Sequence, residues 1–170
     1  MLEELTTQAV EHAPIHRGLL NAVNPVITAI LRSRLHRALA GFRPPLMLLT
    51  VSGRKTGRRY TIVVGVHDVD GTSTIFTSMP WRVNLRGGAD VEILSNGASS
   101  TVHAVLVEDP GQVADAYAAV IGRLGWKAAQ RQLALKIHVR RTPTHAELVQ
   151  VVEGAHLSVI RLCPESRPRM

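Results

Sequence analysis

Residues 50 to 60 read Thr-Val-Ser-Gly-Arg-Lys-Thr-Gly-Arg-Arg-Tyr. Two glycines bracket Arg54 and Lys55, and a second basic pair, Arg58 and Arg59, follows at once. Gly53 and Gly57 allow the backbone to turn sharply and to turn its amide N–H groups outward, while four cationic side chains crowd the same tip. That chemistry suits an anion such as a phosphorylated cofactor. The same residues also make an ordinary solvated hairpin loop, since loops favour glycine and charge. Both readings remain open at this point.

The flanks of this segment set what must hold it. Leu46 to Val51 and Thr61 to Val66 are apolar and rich in β-branched residues, so the tip joins two strands. Further strands are expected over Tyr60 to Val69, Ser73 to Thr77, Val91 to Ser95 and Thr101 to Val107, with Asp70-Gly71 and Asn96-Gly97 as hairpin turns. Before them, Ile27, Leu31, Leu35 and Leu39 recur every fourth residue between Arg32, Arg34 and Arg37. This predicts a basic amphipathic helix from Pro25 to Ala40, stopped by Gly41 and Pro44-Pro45. It either packs on the domain or, as the sharper alternative, lies on an anionic membrane.

After the strands the period changes. Asp109-Pro110-Gly111-Gln112 opens a helix carried by Val113, Ala116, Tyr117, Val120 and Leu124 to about Gly122. A second helix is expected between Trp126 and Ile137, and Thr144-x-x-Glu147 caps a third that ends near Gly154. His156 to Leu162 reads as a closing strand. The order of elements excludes a parallel βαβ sheet and predicts an α+β fold, an antiparallel sheet curled into a barrel with flanking helices. Residues 1–170 form one domain: a helical segment to 45, the β-meander over 46–108, helices over 109–155, the closing strand over 156–162 and a loose tail.

With 170 residues, 45% of them hydrophobic, the chain can bury a core without metal or disulfide staples. Its one cysteine, Cys163, points to no disulfide, and a cytoplasmic setting is expected. The first eleven residues carry Glu3, Glu4 and Glu11 in place of a basic, then apolar, leader, so no secretory signal is expected. Leu19 to Leu31 is too short and too interrupted to span a bilayer. The formal net charge of +7 admits nucleic acid, a membrane surface or a small anion as partner. With two Phe, two Tyr and two Trp, stacking platforms for single-stranded nucleic acid cannot be built, and no nucleic acid is expected.

A second segment, Trp81-Arg82-Val83-Asn84-Leu85-Arg86-Gly87-Gly88-Ala89-Asp90-Val91-Glu92, follows the third strand. Together with LLTVSGRKTGRRYT it resembles the paired signature of the deazaflavin-dependent nitroreductase family, in the flavin-reductase-like split β-barrel group. The resemblance extends over roughly Leu31 to Leu162. It implies the deazaflavin coenzyme F-420, with FMN as the alternative. It further implies Arg54, Lys55 and Thr56 near the phosphate or the polyglutamate tail, Tyr60, Thr61 and Val63 along the following strand, and Ser78, Met79, Trp81 and Asn84 beside the phosphate and ring. Trp81 would supply apolar area, Asn84 an amide hydrogen bond, and a helical-turn N-terminus near Trp81 further donors. Val63 stands where many members have proline, and Thr77-Ser78-Met79-Pro80 replaces a longer loop containing glycine and lysine.

The expected activity is hydride transfer from the reduced cofactor to a quinone, enone or nitro acceptor, with Ser78 or Tyr117 polarising the acceptor or relaying a proton. A non-catalytic carrier of F-420, FMN, haem or lipid on the same barrel is the alternative. The expected partners are an anionic cofactor and a small apolar acceptor, with a homodimer left open. His12 and His16 have the i, i+4 spacing of a helical metal pair but lack a third ligand, and no metal is expected. Ser52 lacks a nucleophile elbow, and the Gly53 to Gly57 spacing is not a P-loop.

Overall fold

The computed structural model describes residues 9–13, 17–33 and 41–164. The second half of the expected basic helix, with Leu35 and Leu39, lies outside the described residues, as does His16. In chain order the elements are β1 (Val10–His12), α1 (Arg17–Arg32), β2 (Leu46–Ser52), β3 (Arg59–Gly65), β4 (His67–Val69), β5 (Thr72–Thr77), a 3-10 helix (Pro80–Leu85), β6 (Ala89–Ser95), β7 (Ala98–Val107), α2 (Pro110–Leu124), α3 (Trp126–Gln132), β8 (Leu135–Ile137), α4 (His145–Gly154) and β9 (Ser158–Pro164).

Seven strands form one antiparallel sheet in the order β3-β2-β6-β7-β9-β5-β4. The sheet curls on itself, helices flank it, and the fold is α+β as expected. Alternate residues of β2 show why it curls around a core. Met47, Leu49 and Val51 point inward to a cluster with Val64, Ile75, Leu85, Val91, Ala104 and Ile160. A second cluster joins α2 and α4 to one end of the sheet through Val113, Tyr117, Val120, Ile121, Leu148, Val152 and Val159.

Both hairpin signals act as expected: Asp70-Gly71 and Asn96-Gly97 each have two successive residues at positive φ, the geometry of a two-residue turn matched to strand twist. The Asp109 side chain accepts from the Gln112 amide at the start of α2, and Thr144 with Glu147 forms a reciprocal capping box on α4.

Three expectations are corrected. The helix read from Pro25 begins at Arg17, so Pro25 lies inside α1; it is exposed, where a lost backbone hydrogen bond can be replaced by water. The strand read from Tyr60 to Val69 breaks at Val66, whose amide donates to Pro45 O at 2.9 Å and turns the chain from β3 into β4. The helix read from Trp126 to Ile137 stops at Gln132. Ala134 adopts φ 51°, and Leu135–Ile137 then pairs with the distant β1, Val10 opposite Ile137. Local period could not reveal a partner more than a hundred residues away.

Helix α1 contacts the outer face of β2, β3 and β6. Leu31 and Leu48 are buried, 3% and 2% exposed, and belong to neither core cluster. Leu31→Ala should therefore cost about 2 to 5 kcal/mol through transfer and cavity terms, measured by urea unfolding. Near-zero cost together with lost vesicle binding would instead mark the helix as a membrane anchor.

Candidate functional site

A pocket of about 490 Å³ opens where the curled sheet fails to close, between β3 on one side and β4 and β5 on the other. Its lining is mostly apolar. Because β3 is an edge strand, the pocket meets both of its faces, Val64 from inside and Val63 from outside, where Ile27 of α1 joins the wall. Gly65 lines it under the ring of Pro44, and a Cβ there would stand 2.6 Å from Pro44 Cγ, so this wall requires glycine. Of the site residues expected from sequence, Val63, Ser78, Met79, Trp81 and Tyr117 line this pocket, whereas Arg54, Lys55, Thr56, Tyr60, Thr61 and Asn84 do not.

The basic tip is nonetheless tied to it. The Arg54 amide donates to Asn84 Oδ1 at 3.1 Å, and Asn84 Nδ2 donates to Trp81 O at 2.9 Å. These two partners fix which end of the Asn84 amide is oxygen. The two sequence motifs thus meet, with Asn84 as the bridge. The tip holds itself as well: Gly53 N donates to Arg58 O and Gly57 N to Gly53 O, both at 2.8 Å, and Arg58 N reaches Thr56 Oγ1 at 3.3 Å. Gly57 has φ 66°, the left-handed conformation that favours glycine. With Gly53, Arg54, Gly57 and Arg58 amides occupied, attraction for an anion at the tip falls mainly to the exposed side chains of Arg54, Lys55 and Arg58. Arg58 lies over the Tyr60 ring at 5.6 Å, and Arg59 pairs with Glu92 on the outer face. Thr61 also faces outward, 3.3 Å from the Thr50 hydroxyl, beside a separate small cleft.

The short loop before Trp81 is pinned from below by one half-buried cation. Arg82 donates to Ser78 O at 3.0 Å, Met79 O at 3.1 Å and Ser158 Oγ at 3.0 Å, while Met79 N donates to Thr77 Oγ1 at 3.0 Å. The helical turn offers fewer amide donors than expected: Pro80 has none, and the Arg82 amide bonds to Met79 O.

Five polar residues of the pocket come from elements that the signatures do not cover, His12, His67, Tyr117, Arg131 and Gln132. His67 packs edge-on against Phe76 at 5.4 Å, and Phe76 against Tyr117 at 4.6 Å, forming an aromatic wall. Burial pushes the His67 pKa below 6.5, and Arg123 adds to this while a backbone contact at Gln132 opposes it. Burial lowers His12 as well and raises the Tyr117 phenol, so all three are uncharged near neutrality. Tyr117 was reachable from sequence through its helical spacing. His12 and Arg131 were not, because only the β1–β8 pairing brings them to one pocket. His12 lies in a strand, so the helical spacing with His16 does not apply. Among the described residues no three His, Cys, Asp or Glu side chains gather as a metal site, and no helix is long and apolar enough to cross a membrane.

No family model matches the chain, and no curated protein matches it in sequence. Similar solved structures include an F-420-H2 dependent reductase, 13% identical with a TM-score of 0.41, the match covering 71% of this chain and 94% of that one. A conserved hypothetical protein from Mycobacterium tuberculosis is 14% identical with a TM-score of 0.43, covering 84% and 79%. The FAD and heme binding protein from Mycobacterium smegmatis is 18% identical with a TM-score of 0.42, covering 78% of this chain and 65% of that one. At these levels the likeness carries no inference about activity. The functional reading rests on the side chains described above.

The histidines generate a pH prediction. A folded-state pKa below 6.5 means that the unfolded chain binds the proton more readily, so stability present above pH 6.5 is lost as the pH falls below it. His67→Phe should flatten this slope in urea titrations at successive pH values, leaving the part due to His12. An unchanged slope would assign the effect to other groups.

Proposed function

We propose that this chain is an F-420-dependent oxidoreductase that reduces a quinone, enone or nitro acceptor. The observation that supports this reading is the Arg54–Asn84–Trp81 bridge, which couples a cationic tip to an apolar pocket of ring-accommodating size. The residues fit such a cofactor. Trp81, Met79 and Val63 offer apolar area to a planar ring, and Arg54 and Lys55 offer charge to a phosphate and carboxylate tail. When bound, coenzyme F-420 supplies the hydride.

The chain's own part is to orient, to exclude water and to donate hydrogen bonds. Tyr117 is 2% exposed, faces the pocket and makes no hydrogen bond through its hydroxyl among the described residues. Burial keeps it protonated, so it can donate to an acceptor oxygen that gains charge as hydride arrives. Ser78 lines the same pocket with a hydroxyl free of partners among the described residues and is the second candidate donor. A carrier without turnover is the second reading, favoured by the short Arg82-pinned loop that lacks a lysine.

Titration with F-420 and FMN side by side tests the reading. Replacing Arg54 and Lys55 together by alanine should lower F-420 affinity at least about tenfold, because each charged contact contributes about 1.5 to 3 kcal/mol when partly desolvated. The preference over FMN should shrink as salt rises, since exposed charges are screened. Equal or tighter FMN binding at both salt levels would move the protein to the flavin branch, and binding without turnover would select the carrier.

Trp81→Phe provides an independent check on the ring site. It keeps most of the apolar area but loses the indole N–H, so the thermal midpoint should move little while cofactor affinity drops. A large loss of stability with unchanged binding would make Trp81 a core residue.

A further inference from the structure

Among the described residues no carboxylate lines the pocket. Among its lining residues every ionisable group is a cation or a neutral donor, namely His12, His67, Tyr117 and Arg131. Arg59, Arg82, Arg86, Arg123 and Arg141 each have an acidic partner within 4 Å, whereas Arg54, Arg58, Arg140 and Arg161 have none among the described residues and do not line the pocket. Arg131 has none among the described residues, and it stands in the last turn of α3 against the pocket. The imidazole of His12 and the hydroxyl of Tyr117 likewise lack a hydrogen-bond partner there, although Tyr117 is almost wholly buried.

Every fully buried side-chain polar atom among the described residues has a partner, so the unpartnered Tyr117 hydroxyl opens on the pocket, where a ligand acceptor can take the place of water. Arg131 is exposed, so its attraction for an anion is screened by salt and strengthens when a ligand covering the apolar wall excludes water from it. Arginine in the last turn of a helix also complements the helix carbonyls, but α3 has only seven residues and that role requires no pocket.

We propose that the α3 side of the pocket is an anion-selecting subsite, where Arg131, His12 and Tyr117 receive a carboxylate, or an equally strong anionic oxygen, borne on an apolar ring. Calling that ring the acceptor rests on the oxidoreductase reading, and Ser78 is then the donor to the reducible oxygen because Tyr117 has a single proton to give; the binding itself does not rest on it. Arg131 acts as the forked donor, His12 and Tyr117 complete the acceptor's hydrogen bonds, and the aromatic wall of Phe76 and His67 receives the ring.

The test uses the full chain without cofactor, titrated by calorimetry with 2-naphthoate and with its uncharged methyl ester. The carboxylate should bind at least about tenfold more tightly than the ester. Arg131→Gln should abolish that preference, Arg131→Lys should keep part of it, and Tyr117→Phe should weaken the carboxylate alone. Thermal melts of each variant establish that it is folded, and F-420 affinity should stay unchanged in Arg131→Gln. Equal binding of the two probes, binding of neither, or a preference that survives in Arg131→Gln would overturn the subsite. A loss of F-420 affinity in place of naphthoate affinity would overturn it too, by assigning Arg131 to the cofactor. If the parent fails to bind F-420 yet selects the carboxylate, the oxidoreductase reading fails and the subsite stands.

Discussion

The two edge strands of the sheet are consecutive in the chain, with Val66 alone between them. Seven strands laid flat would hold their edges roughly 29 Å apart, at about 4.8 Å per neighbour. Gly65 and His67 can be separated by no more than about 7 Å. The sheet must therefore curl until its edges meet at this point. Closure cannot propagate, because β4 has three residues and β3 has seven. The unpaired length of β3 leaves a gap, and the gap is the pocket, lined by Val63, Val64, Gly65 and His67 beside the junction. A covalent constraint one residue long thus sets the barrel, its split and the site.

What fills the rim of that gap is governed by hydrogen bonding. The basic tip satisfies most of its own amides, so it behaves as a rigid carrier of side-chain charge more than as a backbone cradle. Asn84 then fixes where that charge stands relative to Trp81. Arg82 does the equivalent work for the loop from Ser78, drawing two carbonyls and the Ser158 hydroxyl around one half-buried guanidinium. Both devices use side chains within the second sequence motif, which places the two motifs together without a long loop between them.

Local patterns therefore conveyed much of the fold. The two-residue turns, the capping box of α4 and the alternating β2 residues were legible because each is decided within a few positions. The break at Val66 was not, since the apolar run continues through it and only the Pro45 contact ends the strand. Nor was the β1–β8 ribbon, whose pairing joins residues 10 to 12 with 135 to 137. The site divides in the same way. Trp81, Ser78 and Tyr117 sit on elements that motif or period announces, whereas His12 and Arg131 gain a common pocket through long-range pairing alone.

The charge surplus acquires a structural meaning from this division. Acidic residues are fewer than basic ones, 13 against 20. Those described in ion pairs sit on outer surfaces: Glu92 on the outer sheet face, Glu108 with Arg86, Glu147 with Arg141. Among the described residues the cations without such partners include Arg54 and Lys55 at the tip and Arg131, which lines the pocket with no carboxylate beside it. Arg131 is the one group charged near neutrality among the described residues that line the gap, and its sign favours anions there. Two anionic ligands sharing one apolar pocket would repel each other strongly at low dielectric. On the proposed reading, separate cations, one set at the tip and one at α3, would offset that repulsion between a charged tail and a charged acceptor.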